Sequence, residues 1–373
     1  MYVTRLHARD LRRFSEVGMT PSPRLNLITG DNGAGKTSLL EALHLMAYGR
    51  SFRGRVRDGL IRTGAGAIEI FVEWRELQGA PPGDAGRLRK AGLRHTGQDW
   101  SGKLDGEAVS HLGELCAALA VVTFEPGSHA LITGPAELRR RYLDWGLFHV
   151  EQDFIGWWRR YARALKQRNA LLKARGSQQQ LDAWDNELVE AGEPLSRARE
   201  RYLKALQPGF QALLAELAPS LGDLNLSFHP GWRREEMSLG DALLLARDRD
   251  VLLGYSSVGP HRSDWRMGFT GVPSREALSR GQTKLAALTA ILAQAEHYAT
   301  TRGDWPVVAL DDLASELDRG HQTRVLTRLL STPAQVWITG TEVPNALQAI
   351  NVAFERFHVE HESLTQTRDP VGS

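Results

Sequence analysis

The feature that most constrains this chain is a glycine-rich segment near its beginning: Gly30, Asp31, Asn32, Gly33, Ala34, Gly35, Lys36 and Thr37. The mostly apolar run at 25–28 predicts a short buried strand before this segment. Apolar residues at 39, 40, 43 and 46 predict a helix after it. A chance match to this motif in a glycine-rich turn would not require a strand before it or a helix after it. Strand, G-x-x-x-x-G-K-T loop and helix together predict a cradle whose backbone N–H groups converge on phosphate oxygens.

The residue types in this loop indicate a nucleoside triphosphate with Mg²⁺. The Lys36 ammonium is placed to reach the β and γ phosphates, and the Thr37 hydroxyl is a ligand for Mg²⁺. Ser38 completes the binding segment at the start of the helix, where the helix dipole favours an anion. The sequence therefore predicts ATP and Mg²⁺ as ligands, with residues 30–38 around ATP and Thr37 on the metal.

Length and composition indicate a globular chain of two domains or lobes. The chain has 373 residues, of which 42% are hydrophobic and 24% are charged. Its first residues lack the apolar core of a signal peptide, and no apolar run is long enough for a membrane span. The single cysteine, Cys116, excludes a disulfide or a multi-cysteine metal site within one chain. These features predict a cytosolic protein without a membrane partner.

Charge is nearly balanced over the whole chain but unevenly distributed along it. The net charge is +2, yet residues 50–103 carry 11 Lys/Arg against 6 Asp/Glu, and residues 139–175 carry 10 against 3. Residues 176–250 carry 8 against 13. This asymmetry predicts one side of the molecule that faces a polyanion and another side that does not.

The pattern of apolar residues divides the chain into three parts. Residues 1–123 alternate short strands with turns and contain the phosphate loop, and segment 79–86 reads as a loop between two antiparallel strands. Residues 124–250 are mainly helical, and residues 251–373 alternate strands and helices. The sequence therefore predicts an α/β nucleotide head formed by 1–123 and 251–373 and interrupted by a helical lobe. No heptad run is long enough for a coiled coil.

A hydrophobic strand at 307–310 ends in two carboxylates, Asp311 and Asp312. Apolar strands often end in one Asp, but the pair beside a phosphate loop fits Mg²⁺ and water chemistry better. We predict that Asp311 holds the metal and that Asp312 is the catalytic base that orients or deprotonates the attacking water. Both this strand and the phosphate-loop strand should end at the same edge of a sheet, where α/β proteins bind ligands.

A second segment precedes a helix with apolar residues at 285, 288 and 292: Ser279, Arg280, Gly281 and Gln282. In its simplest interpretation Ser279 is the N-cap of an amphipathic helix. Ser-x-Gly-Gln also resembles the signature motif of ABC-type ATPases, which contacts the γ-phosphate of ATP held by a second subunit. Segment 314–318 resembles the D-loop of the same class. The resemblance implies that residues 279–282 bind ATP in trans.

Several further segments narrow the resemblance to one family. Asn-Gly-Ala-Gly-Lys-Thr-Ser-Leu-Leu-Glu-Ala at 32–42 is similar to the RecF family, and the following segments match it in the same order: 49–53, 140–144, 165–172, 259–262, 310–312 and 315–318. The phosphate loop alone is shared by many families, whereas this combination is much more restrictive. The match covers nearly the whole chain.

The resemblance implies an ABC-type ATPase head, a phosphate-loop NTPase with an inserted helical lobe and no long coiled coil. It also implies a weak, DNA-dependent ATPase that dimerises on ATP and binds DNA, whether single-stranded, double-stranded or at gap junctions. Such a protein would work with RecR and RecO to place RecA at single-strand gaps and stalled replication sites.

The chain departs from the family or from ABC transporters at four places. Ser263 stands where the family usually has an acid, and Arg280 stands where transporter ATPases carry Gly. The strand at 335–341 lacks the switch histidine of transporters, for which Thr339 or Thr341 could substitute. A hydroxyl cannot carry the same charge, so we expect slow hydrolysis. Segment 124–126 occupies the region of the glutamine loop but has no glutamine.

One short segment is the best candidate for DNA binding, because it has four arginines in eight residues: Arg50, Arg53, Arg55 and Arg57. Arginines of this kind neutralise backbone phosphates without reading sequence. A solvated charged turn would have the same composition. The run 139–141 is a weaker candidate, because its side chains point in different directions and one can pair with Asp144. Tryptophans 157 and 158 could stack on bases but fit a helix core better.

Two other functions share the phosphate loop. In the ATPase subunit of a transporter, the signature motif lies much closer to the loop than the 243 residues (279 − 36) between Lys36 and Ser279 here. Such a subunit also normally has the switch histidine. A structural chromosome-organising ATPase similar to SMC proteins would need long heptad repeats, which this chain lacks.

Overall fold

The structure is a computed structural model that describes residues 1–53, 59–77, 79, 85–350, 352–360 and 362–369. The strands are β1 (Tyr2–Leu11), β2 (Phe14–Met19), β3 (Leu25–Thr29), β4 (Ile68–Glu76), β5 (Arg87–His95), β6 (Trp100–Leu104), β7 (Glu107–Ala108), β8 (Val121–Phe124), β9 (Leu224–His229), β10 (Asp264–Phe269), β11 (Val307–Leu310), β12 (Val336–Gly340), β13 (Phe354–Glu360) and β14 (Ser363–Asp369). The helices are α1 (Lys36–Tyr48), α2 (Leu112–Ala118), α3 (Ala130–Thr133), α4 (Ala136–Val150), α5 (Phe154–Ala174), α6 (Gln178–Leu217), α7 (Leu239–Leu253), α8 (Arg280–Arg302), α9 (Leu313–Glu316), α10 (Arg319–Leu330) and α11 (Asn345–Ile350).

A largely parallel sheet forms the centre of the first compact unit, which comprises residues 1–128 and 284–373. Its strand order is β14-β13-β3-β12-β11-β8, and only the edge pair β13 and β14 is antiparallel. Every residue of β3, β11 and β12 is buried, as expected for parallel strands covered on both faces. The strands predicted before the phosphate loop and before the acid pair are therefore confirmed.

The first unit also contains an antiparallel sheet. Its strand order is β2-β1-β4-β5-β6-β7. Strands β4 and β5 pair from Ile68 opposite His95 to Glu76 opposite Arg87, which confirms the predicted antiparallel pair. The connecting segment 79–86 that we predicted as a loop lies partly outside the described residues.

Long helices dominate the second compact unit, residues 129–283, as predicted for the inserted lobe. Helices α5 and α6 pack against each other as a hairpin, and α7 packs on both. Helix α6 has 40 residues and continues through Pro194 and Pro208, although proline removes an internal hydrogen bond. Its buried residues recur along the whole helix, so packing rather than propensity sustains it.

The two units divide the chain at different positions from the predicted ones. The first boundary follows residue 128 rather than 123, and the second follows 283 rather than 250, a difference of 33 residues (283 − 250). Strands β9 and β10 pair with each other over six residues, and they pack on α6 and α4. This strand pair therefore belongs to the second unit, so β10, which lies in the predicted C-terminal part of the head, groups instead with the helical lobe. Segment 279–282 lies at the end of this unit.

A buried ionic cluster joins α5, α6 and α7. The Arg168 side chain is fully buried and donates to Asp185, to Asp250 at 2.7 Å and to the Ser256 hydroxyl at 2.9 Å. Asp250 is also fully buried, and its other oxygen accepts from the Ser257 N–H at 3.0 Å. Because buried charges are costly unless paired, the guanidinium and both carboxylates depend on one another.

The arginine side chains at 139–141 make their contacts within the second unit. Arg139 pairs with Asp264 at 2.7 Å, and Arg140 donates to the Ser263 carbonyl. Asp144 pairs with Arg199 at 2.7 Å, so its expected pairing within the run is wrong. Long-range partners outcompete the local helical spacing here, because they hold the carboxylate in two hydrogen bonds.

Within the described ranges, no helix is both long enough and apolar enough to cross a membrane.

Replacing Arg168 with Gln should destabilise the second unit by about 3–5 kcal/mol, because it leaves a fully buried carboxylate without its charged partner. Urea unfolding, followed by tryptophan fluorescence, measures the change. Arg160→Gln on the same helix is the control, since it removes a partly exposed pair with Glu187 and should leave the unfolding free energy nearly unchanged. Equal effects of the two changes would contradict the role assigned to the cluster.

Candidate functional site

The glycine loop at 30–35 connects the buried end of β3 to the first turn of α1. Gly30 and Gly35 both have positive φ, 147° and 119°, a region that side chains rarely enter. A Cβ at Gly30 would lie 2.3 Å from the Val359 carbonyl oxygen, and one at Gly35 would lie 2.7 Å from the Phe14 ring. The backbone can therefore bend tightly only because both positions lack a side chain, and the bend leads into the N-terminus of α1, which suits an anion.

The Lys36 side chain folds back over this loop. Its ammonium donates to the Gly30 carbonyl at 2.7 Å and to the Asp31 carbonyl at 2.8 Å. Burial lowers the pKa of Lys36, whereas the charges of Asp312, Asp311 and Asp31 raise it. The ammonium therefore lies at the loop, with two carboxylates of the candidate site acting on it.

The two residues predicted to bind Mg²⁺ are brought together by a direct hydrogen bond. The Thr37 hydroxyl donates to Asp311 Oδ1 at 2.9 Å, although the residues are 274 positions apart. The Thr339 hydroxyl donates to the same oxygen at 2.6 Å and accepts from the Asp312 N–H at 2.9 Å. Strand β12 lies between β3 and β11, so Thr339 is placed between the phosphate loop and the acid pair.

Burial and hydrogen bonds have opposite effects on the pKa of Asp311. Burial raises the pKa of Asp311, and hydrogen bonds from Thr339 and Thr37 lower it. The neighbouring charge of Asp312 raises the same pKa, whereas the charge of Arg53 lowers it. A bound cation would oppose the effect of burial and stabilise the charged carboxylate.

Asp312 has an unusual backbone conformation at the end of β11. Its φ of 52° and ψ of 41° place it in the left-handed region, where only Gly, Asn and Asp are common. The side chain does not cap α9, and the residue is only half-buried. Of the two adjacent carboxylates, Asp311 accepts hydrogen bonds from two hydroxyls, whereas Asp312 does not cap the following helix. Such strained positions often occur at functional sites.

An ion pair that the sequence did not reveal braces the segment after α1. Arg12 makes two hydrogen bonds, of 3.0 and 2.8 Å, to the fully buried carboxylate of Glu41. The Ser51 hydroxyl donates to the same carboxylate and accepts from the Arg53 N–H at 2.9 Å. The one sequence feature that could have indicated this ion pair is Glu41, a charged residue on the otherwise apolar part of α1.

The predicted DNA-binding arginines divide into two groups. Arg53 lies close enough to Asp311 for its charge to lower the pKa of that carboxyl, and burial and the charge of Arg50 both lower the pKa of His44. Arg55 and Arg57 lie outside the described residues. Binding of DNA by these four arginines remains a prediction.

The segment at 279–282 forms the capping box expected of a helix start. The Gln282 N–H donates to the Ser279 hydroxyl at 3.2 Å, and the Ser279 N–H donates to Gln282 Oε1 at 2.9 Å. Ser279, Arg280 and Gly281 are exposed. The N-cap interpretation is confirmed, and the segment remains accessible from solvent. Its contact with ATP in trans is a prediction.

Other predicted features lie near the end of β11 or in the second unit. In the D-loop segment 314–318, Glu316 pairs with Lys284 at 2.9 Å. Glu125 follows β8 where a glutamine loop was sought, and its carboxylate accepts from the Gly127 N–H. His261 accepts from the Tyr161 hydroxyl at 2.7 Å and donates to the Ser256 carbonyl. Burial lowers the pKa of His261 to about 4, so it is neutral and structural.

The residues at the loop fit the ligands that their types predict. A loop that admits no side chain at two glycines, an ammonium beside it and a helix start suit a polyphosphate. A hydroxyl and a carboxylate 2.9 Å apart are hard oxygen donors, which Mg²⁺ prefers. Among the described residues, no cluster of three or more His, Cys, Asp or Glu side chains suits a metal.

Comparison with known sequences agrees with this geometry. Residues 2–363 match the family described as the RecF/RecN/SMC N terminal domain. The DNA replication and repair protein RecF of Stenotrophomonas maltophilia (strain R551-3) is 65% identical over 364 residues, covering 98% of this chain and 99% of that protein. The protein of the same name from Xanthomonas euvesicatoria pv. vesicatoria (strain 85-10) is 63% identical over 367 residues, with 98% and 99% coverage.

A solved structure has the same fold over almost the full length. It is the recombination mediator protein RecF with ATP, in the RecFOR pathway. The TM-score is 0.86 at 25% sequence identity, and the match covers 98% of this chain and 97% of that one. The predicted fold, an ABC-type ATPase head with a helical insertion and no long coiled coil, is therefore confirmed.

Replacing Thr339 with Val should destabilise the first unit by about 1–3 kcal/mol, because the buried Asp312 N–H and Asp311 oxygen each lose a partner. The change should also raise the pKa of Asp311 further, since a hydrogen bond that favours the carboxylate is removed. Urea unfolding and a carboxyl-carbon NMR titration measure the two effects.

Thr339→Ser retains the hydroxyl and is the matched control, with a smaller loss of stability and little change in the titration of Asp311. A Val variant that titrates like the wild type would show that Thr339 does not set the charge state of Asp311.

Proposed function

Since this chain belongs to the RecF family, among the RecF/RecN/SMC proteins, we propose that it binds ATP and acts on DNA in replication and repair. The observation that carries this proposal is the 2.9 Å hydrogen bond between Thr37 and Asp311, which joins the phosphate loop to the acid pair. Identity of 65% with a RecF protein over nearly the full chain supports the proposed role in repair.

We assign the nucleotide-binding chemistry to the first unit. The N–H groups of the 30–38 segment and the Lys36 ammonium bind the phosphates, and Thr37 with Asp311 holds Mg²⁺. The metal, when bound, neutralises charge on the phosphate oxygens. Asp312, which has a left-handed backbone conformation directly after Asp311, orients or deprotonates the attacking water.

Hydrolysis should be slow. The histidine that transporters use as a switch is absent from the strand at 335–341. Of its possible replacements, Thr339 is already bonded to Asp311 and to the Asp312 N–H, which makes it part of the scaffold. We therefore favour ATP as a signal for assembly and hydrolysis as the step that ends it.

ATP-dependent dimerisation is the mode of action that we propose. Ser279, Arg280 and Gly281 are exposed at the start of α8, where the helix dipole favours the γ-phosphate of a partner molecule. The dimer would bind single-stranded, double-stranded or gapped DNA and work with RecR and RecO to direct RecA to gaps. A solved relative belongs to the RecFOR pathway, which supports these partners.

Two variants separate binding of ATP from its recognition by a second molecule. Lys36→Ala should weaken ATP binding by the monomer roughly 10- to 100-fold, because charged hydrogen bonds to phosphate are lost. Ser279→Arg should leave that binding intact but abolish ATP-driven dimers. Fluorescent-nucleotide titration and mass measurement on gapped DNA, with and without ATP and Mg²⁺, provide the two readouts.

A wild-type protein that stays monomeric with ATP, or whose DNA affinity is insensitive to salt, would overturn the proposal. Loss of nucleotide binding in Ser279→Arg would instead indicate a site built within one molecule.

Asp312→Asn tests the base. Asn tolerates the left-handed backbone, so the fold and ATP binding should persist, whereas single-turnover hydrolysis should slow roughly 10²- to 10⁴-fold. Quenched-flow measurement of phosphate release gives the rate, and nucleotide affinity of the same variant is the control. Hydrolysis at the wild-type rate would remove Asp312 from the chemistry.

A further inference from the structure

Helix α5 has an extreme charge composition for its length. Its 21 residues contain no Asp or Glu and carry six cations: Arg159, Arg160, Arg163, Lys166, Arg168 and Lys173. Surface helices of globular proteins usually interleave both signs, since opposite charges one turn apart stabilise the helix. The absence of any acid in this helix therefore needs another explanation.

Two of the six cations are neutralised within the second unit. Arg168 is fully buried between Asp185 and Asp250. Arg160 pairs with Glu187 of α6 at 2.7 Å. These two account for the part of α5 that faces α6 and α7, and four cations remain.

The remaining four cations form a single stripe, which we call the α5 stripe: Arg159, Arg163, Lys166 and Lys173. Their spacing of four, three and seven residues places them within an arc of about 80°. The buried residues of α5 lie on the opposite side of the helix, and all four cations are exposed. Ala170 lies on the same face between Lys166 and Lys173, so no large side chain interrupts the stripe.

No acid neutralises this stripe. Among the residues that the structure describes, no carboxylate forms an ion pair with any of the four. The nearest acidic influence is Glu187, whose pKa is lowered mainly by its hydrogen bond to Arg160 and only weakly by Arg163. The stripe thus keeps four positive charges in solvent along about 21 Å of helix.

We propose that the α5 stripe binds the phosphate backbone of double-stranded DNA. A 21 Å row of charges spans the rise of roughly six base pairs, and its arginines and lysines can each neutralise a phosphate. Flat side chains that could stack on bases are absent from the stripe itself, with Trp158 beside it rather than in it. Contact with the backbone alone carries no sequence preference, which suits a protein that acts at many sites.

This inference rests on the proposed DNA-binding function but assigns a site to it. It places that site on the second unit, whereas Arg50 and Arg53 belong to the first. The two candidate regions can therefore be tested separately.

The test compares two triple variants of the full chain that remove the same net charge. The first replaces Arg159, Arg163 and Lys166 with Gln, a good helix former, and leaves Lys173 because it also stabilises the last turn. The control replaces Arg160, Arg201 and Lys204 with Gln, three partly exposed cations that already pair with Glu187, Glu151 and Glu200.

Binding to a blunt 30-base-pair duplex is measured by fluorescence anisotropy, with ATP and Mg²⁺, over a series of salt concentrations. The stripe variant should bind at least about tenfold more weakly at low salt, and its slope of log affinity against log salt should be shallower by about 2.7, near 0.9 for each lost contact. The control variant should retain the slope of the wild type. Equal thermal transitions of all three proteins show that the helix is intact.

A stripe variant with the wild-type slope would overturn the proposal, and so would an equal loss in the control variant. A loss confined to single-stranded oligonucleotides would overturn the assignment to duplex DNA. If the stripe variant fails to bind duplex while it still forms ATP-driven dimers, both proposals stand. If the wild type itself does not bind DNA, the proposed function fails first.

Discussion

The carboxylate of Asp311 is the point on which the nucleotide-binding part of this fold depends. Three parallel strands, β3, β12 and β11, end at one edge of the sheet, and hydroxyls from the first turn of α1 and from β12 meet on a single oxygen of this side chain. Burial raises the pKa of Asp311, and the hydrogen bonds from the two hydroxyls only partly oppose this effect. An arrangement of this kind fixes the position of the Asp311 carboxylate through two hydrogen bonds from different elements.

Much of this could be predicted from the sequence, because the signals are local. The glycine loop with its flanking strand and helix is contained in about 25 residues, and the strand that ends in Asp311 and Asp312 has a continuous apolar run. The bracing of Glu41 by Arg12 and Ser51 depends on segments that become neighbours only after folding. From the sequence, Thr339 is a candidate substitute for the switch histidine of transporters. In the structure its hydroxyl bonds to Asp311 and to the Asp312 N–H.

The limits of prediction are clearest for the arginines. Residues 139–175 looked uniformly basic, but Arg139 and Arg168 are buried in ion pairs and Arg140 donates to a backbone carbonyl. The sequence gives only the number of charged residues. A binding surface depends on which of these charges lack partners, and only the three-dimensional contacts show this. The same reason explains why the second unit extends past residue 250, since the sequence of β10 does not reveal that this strand pairs with β9 and packs on α4.

The parallel sheet also determines the order in which the protein can mature on the ribosome. Strand β3 lies between β13 and β12, and its neighbours are translated roughly 300 residues later, a delay of about 15–60 s at usual elongation rates. The second unit, by contrast, is one continuous segment and can fold as soon as it emerges. During this interval β3 lacks both of its neighbouring strands and is open to mispairing. Shortly after synthesis, the chain should therefore depend on chaperones more than the stability of its finished fold would suggest.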